Sequence, residues 1–71
     1  MDINYELYKV FYHVVISLSF SEASKQLFIS QSAVSQSVKL LEKKLGSTLF
    51  IRSTKQVQRT PEGEILLRYI E

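Results

Sequence analysis

The sequence predicts a mainly helical fold in which three helices precede a short two-stranded hairpin and the start of a fourth helix. Three observations predict it. Apolar residues recur at helical spacing in the first, third and last stretches of the chain. Ser caps at Ser19 and Ser30 stand only eleven residues apart, which places a tight turn between two helices. Finally, Leu49-Phe50-Ile51 and Val57 lie between Gly46, which ends the third helix, and Thr60-Pro61-Glu62, which opens the last.

Taken in order, Ile3, Leu7, Val10, Phe11, Val14 and Leu18 form one face of the first helix, and Asp2, Glu6, Lys9 and His13 share another. Tyr5, Tyr8 and Tyr12 add a third stripe, either the edge of the core or a surface for a partner helix. His13 reads as an ordinary surface histidine. Ser19 caps the second helix by accepting from the amide three residues on, and Glu22 is expected to reach back to the Ser19 amide. Phe20, Ala23 and Leu27 point one way from it.

Ser30 opens a longer helix in which Val34, Val38, Leu41 and Leu45 make the buried face. Lys43 and Lys44 in its last turn suit the helix dipole, and Gly46 supplies a left-handed cap. Thr48 to Arg52, the polar Ser53-Thr54-Lys55-Gln56 and Val57 to Arg59 read as a hairpin that needs the helices beneath it. Thr60 caps the last helix, Pro61 takes its first position, and Glu62 and Glu64 lie near its positive end. The apolar pattern runs to the final residues, so the sequence is expected to be the N-terminal piece of a longer protein, with one domain over residues 1–60 and a linker helix beginning over 61–71.

Composition narrows the function. A chain of 71 residues buries only about 60% of its unfolded surface, which allows a core of roughly ten to fifteen side chains and no deep catalytic cavity. There is no Cys and a single His, which excludes a disulfide framework, a thiolate zinc site and a His cage. The serines have no His or Lys partner in any nucleophile motif, so no enzyme, metal or cofactor is expected in this domain. No unbroken apolar run exceeds three residues, as in Val14-Val15-Ile16, so no membrane span is expected. Met1-Asp2-Ile3-Asn4 lacks the features of a secretory signal, and a cytoplasmic location is expected.

The net charge of +2 conceals an uneven distribution. Residues 36–59 hold Lys39, Lys43, Lys44, Arg52, Lys55 and Arg59 against Glu42 alone, while the segments on either side are net acidic. On the third helix, Ser32, Ser35, Gln36, Lys39 and Lys43 share the face opposite the apolar one, and none is acidic. Three helices with a tight second turn, then a hairpin, make a winged helix-turn-helix. One helix of this fold fits the major groove of double-stranded DNA, where Ser and Gln read base edges or fix phosphates and Lys neutralises phosphates. Arg52, Lys55 and Arg59 on the wing are placed for the DNA backbone or a narrow minor groove. The alternative is a winged helix used for protein docking, through the tyrosine stripe or the last helix.

Ser30-Gln31-Ser32-Ala33-Val34-Ser35, Leu45-Gly46, Leu49-Phe50, Arg52 and Thr60-Pro61-Glu62-Gly63 occur in an order and spacing that resemble the N-terminal domain of LysR-type transcriptional regulators, over essentially the whole chain. The resemblance implies a bacterial regulator whose linker helix pairs subunits, with a separate C-terminal domain that binds a small effector. It also implies that Gln31, Ser32 and Ser35 lie at the start of the recognition helix, where family members touch bases and phosphates, and Ser30 beside them is a further candidate for DNA contact. Gln36 stands where many members have Arg, which favours adenine over guanine. Arg52 and Lys55 match basic wing positions, whereas Arg59 stands where Leu is usual and either reaches DNA or packs by its stem. Leu18 replaces the usual Gly, Ser24 replaces an Ala, and Phe28 replaces Asn or Gly in a turn where a positive φ would strain it. Ile65, Leu66, Tyr69 and Ile70 are the expected dimerisation surface of a homodimer, with higher oligomers in the full-length protein.

Overall fold

In the computed structural model, which describes residues 5–52 and 57–70, six elements follow in the order α1 (Tyr5–Ser17), α2 (Phe20–Leu27), α3 (Gln31–Leu45), β1 (Phe50–Arg52), β2 (Val57–Arg59) and α4 (Pro61–Ile70). This is the expected winged helix-turn-helix. Asp2, Ile3 and the stretch 53–56, with Lys55, lie outside the described residues. Helix α1 packs against α2, α3 and α4, so its apolar face organises the core.

Leu7, Val10, Phe11 and Val14 are buried on that face as their spacing predicts, and Val15 joins them fully buried. Leu18 does not. Its φ is 52°, its N–H donates to the Val14 carbonyl at 2.7 Å, and it is 38% exposed. It is the left-handed residue that ends α1, the position for which glycine is best suited. Ser19 then caps α2, its Oγ accepting from the Glu22 amide at 3.0 Å. The expected return bond from Glu22 is replaced by a local one, because the Ser19 amide donates to Ser17 Oγ at 3.3 Å.

Helix α2 ends at Phe28, whose φ of 58° is left-handed and whose ring is 94% exposed. The Ile29 amide closes the turn onto the Ser24 carbonyl at 3.1 Å. Ser24 is buried without penalty, since its hydroxyl donates to the Ser21 carbonyl at 2.7 Å. Two residues later Ser30 caps α3 through the Ala33 amide at 3.0 Å, and Gly46, with φ 72°, closes it onto the Glu42 carbonyl at 2.8 Å. Val34, Val38 and Leu41 are buried between these caps, and Leu45 is half-buried against the same core.

The two strands pair antiparallel, Phe50 with Arg59, Ile51 with Gln58 and Arg52 with Val57. Leu49 and Phe50 carry this sheet into the core, which among the described residues holds twelve buried apolar side chains, within the range expected for the chain length. Thr60 joins wing to α4. Its Oγ1 donates to the Thr48 carbonyl at 2.6 Å and accepts from the Gly63 amide at 3.0 Å, while its own amide donates to the Leu49 carbonyl at 3.1 Å. Gly63 must lack a side chain, because a Cβ there would collide with the Leu49 carbonyl. Beyond it Leu67 is buried, and Leu66 and Ile70 pack against the core.

Candidate nucleic-acid interface

Because Val34, Val38 and Leu41 turn inward, the helical period drives Ser32, Gln36, Lys39 and Lys43 to the surface, and Gln31, at the first position of the helix, is exposed as well. Lys44 and Leu40 are exposed beside them. Ser30, also exposed, uses its oxygen as the cap acceptor and keeps its O–H as a donor. Among the described residues, Lys39, Lys43 and Lys44 form no ion pair.

Glu42, the acid within the basic segment, does not face outward with them. Its Oε2 accepts the backbone N–H groups of Leu49 at 2.7 Å and Phe50 at 3.3 Å. The carboxylate thereby anchors β1 to α3 and leaves the outer face of α3 to polar and cationic groups.

Arg52 is held against the helices rather than extended from the hairpin edge. Phe50 and Arg52 lie on the same side of β1, two residues apart, while Ile51 points away and is exposed. From there the Arg52 guanidinium carbon stands 4.0 Å from the centre of the Phe20 ring, and Nη2 donates to Ser35 Oγ at 3.0 Å. Ser35, half-buried on α3, thus connects wing and recognition helix. Phe20, which the sequence places on one face of α2 with Ala23 and Leu27, thus stacks on a wing residue, a contact for which no local motif exists.

Arg59, for which the sequence leaves open DNA contact or packing by its stem, turns its guanidinium inward: Nε and Nη2 donate to the Val15 carbonyl at 3.3 and 3.1 Å, and Nη1 pairs with Glu64 at 3.1 Å. Helix α1 has no basic residue in its last turn, and Arg59 supplies the cation at that negative end. The apolar strip of α4 is also narrower than expected. Ile65 (57%) and Tyr69 (84%) are exposed, whereas Leu66 and Ile70 are half-buried against the core.

Of the tyrosines on α1, Tyr8 packs at the core's edge and Tyr5 and Tyr12 are exposed. His13 is half-buried, its Nδ1 2.8 Å from Gln26 Oε1 across the α1–α2 contact. Among the described residues, no three His, Asp or Glu side chains converge as a metal site, and no helix is long and apolar enough to cross a membrane.

Residues 5–64 match the family described as "Bacterial regulatory helix-turn-helix protein, lysR family". The chain is 42% identical over 66 residues to the HTH-type transcriptional regulator HdfR of Yersinia enterocolitica, covering 93% of this chain and 22% of that protein. It is 51% identical over 63 residues to the HTH-type transcriptional regulator CrgA of Neisseria meningitidis, covering 89% and 21%. It spans about a fifth of the length of these relatives. The fold is similar to the BenM DBD in its crystal complex with catB site 1 DNA, with a TM-score of 0.90, 33% identity, and coverage of 94% of this chain and 75% of that one. The chain therefore belongs to the lysR family of bacterial regulatory helix-turn-helix proteins.

Proposed function

We propose that this chain is the sequence-specific double-stranded DNA-binding module of a bacterial transcriptional regulator, with α3 entering the major groove and the wing lying on the backbone or in the minor groove. The observation that carries the reading is the surface of α3, where Gln31 at the helix start and Ser32, Gln36, Lys39 and Lys43 on the outer face are exposed while Glu42 is spent on the backbone that enters β1. Gln31, Ser32 and Gln36 act on base edges, and Lys39, Lys43 and Arg52 on phosphates. Ser30 and Ser35 add hydroxyls at the helix start, and Lys55 extends the basic wing.

Residues 1–60 form the DNA-binding unit and 61–71 begin a linker helix. Two copies pair through that helix, with Ile65 and Tyr69 as its outward contacts, and so present two recognition helices to two half-sites. Membership of the family and the short span relative to HdfR and CrgA support a longer, cytoplasmic regulator, forming higher oligomers and carrying its small-molecule effector site in a C-terminal domain. The module itself acts by binding and not by catalysis.

Titrating the chain with a labelled duplex at several salt concentrations tests the reading. Log affinity is expected to fall linearly with log salt, by about 0.9 per phosphate neutralised. A flat response, with Ser35, Gln36 and Arg52 all replaceable without loss, would instead favour docking to another protein.

A further inference from the structure

We infer that Phe20 is a positioning residue for DNA binding, holding the Arg52 guanidinium in a fixed pose so that the wing presents a preformed phosphate-binding edge; the inference rests on the DNA-binding reading above. The pose has three supports. The Phe20 ring lies under the guanidinium at 4.0 Å, well inside the range in which a cation is attracted to an aromatic face. Ser35 Oγ accepts one N–H at 3.0 Å and fixes rotation about the stack. Phe20 is itself fixed, edge-on to Phe50 at 6.0 Å between centroids, and Phe50 packs on fully buried Phe11 at 5.4 Å.

A guanidinium has five N–H donors in one plane. The ring covers a face and removes none of them, and Ser35 takes one. The other donors have no partner among the described residues, and Arg52 is exposed. An unanchored arginine on a hairpin loses side-chain freedom when it binds a phosphate, and here that ordering precedes binding. Phe20 therefore acts through Arg52 and touches no DNA.

The test uses the 71-residue chain and a fluorescently labelled duplex of random sequence. Five proteins are titrated across salt concentrations: the parent, Phe20→Leu, Phe20→Tyr, Arg52→Ala and the double variant of Phe20→Leu with Arg52→Ala, each checked for folding by thermal melting. Phe20→Leu keeps apolar volume and removes the ring face; should it fail to fold, Phe20→Met takes its place. The expected results are a roughly three- to tenfold weaker affinity for Phe20→Leu, no further loss when Arg52 is already Ala, and near-parent affinity for Phe20→Tyr, which keeps the ring. Arg52→Ala should reduce the salt slope by about 0.9, one phosphate contact. An equal loss on Phe20→Leu with and without Arg52, or failure of Phe20→Tyr to restore affinity, overturns the inference. A parent slope that is steep but unchanged by Arg52→Ala overturns it while the DNA-binding reading stands, and a flat parent slope removes both.

Discussion

Glu42 Oε2 accepts the backbone N–H of Leu49 at 2.7 Å, so the acid of the basic segment is a structural clamp between the recognition helix and the first strand of the wing. The same oxygen accepts from Phe50 at 3.3 Å. Leu49 is buried, and removing the carboxylate would leave its amide without a partner. Glu42→Ala is expected to cost about 1–3 kcal/mol of stability, and Glu42→Gln, which keeps an acceptor oxygen, distinctly less. Urea denaturation of the two variants compares them directly; equal losses would mean that volume, not the hydrogen bond, is what Glu42 provides.

Arg59 makes the complementary case of a basic residue turned inward. Its guanidinium bonds to the Val15 carbonyl and pairs with Glu64, both partly solvated. Arg59→Ala is expected to lower stability by about 1–2 kcal/mol. The salt slope for DNA should stay as in the parent, because this cation neutralises no phosphate. A slope reduced by about one would place Arg59 on DNA instead.

The difference between Arg59 and the residues of α3 shows what the sequence made legible. Helix α3 was readable because Ser30, the period of Val34, Val38 and Leu41, and Gly46 are local signals that agree, and the same period places Gln36 and Lys43 on the opposite face. Arg59 reaches a carbonyl 44 residues earlier, and nothing near position 59 announces it. Leu18 was misplaced for a related reason. Four residues after Val14 it continues the apolar period, but Ser19 starts a new helix at once, and the chain can turn there only through a left-handed residue. The pairing of Arg52 with Phe20 likewise depends on how β1 docks on α2, which only the packed structure defines.

Phe28 carries strain that its exposed ring does not repay through any packing within the chain. With φ at 58° and the ring 94% exposed, Phe28→Asn keeps the turn with a side chain better suited to it. The variant is expected to be more stable by about 1 kcal/mol, raising Tm by roughly 4–8 °C. An unchanged or lower Tm in a calorimetric scan would show that the turn is not strained.

Gly63 sits where α4 meets the segment that leads from α3 into β1, and any side chain there meets the Leu49 carbonyl. Gly63→Ala should therefore destabilise by about 1–3 kcal/mol although alanine is the better helix former. A stability equal to or above the parent's in chemical denaturation would mean that the connection has room to move.

On the proposed reading the outer face of α3 meets base pairs, and Gln36 is the side chain on it whose replacement changes the base preferred. Selecting preferred duplexes from a random library with the parent chain and with Gln36→Arg should give two consensus sequences that differ at one base position per half-site, adenine for Gln36 and guanine for Arg, with the rest shared. Identical consensus sequences, or no sequence preference in the parent, would show that Gln36 reads no base and that α3 does not select the site.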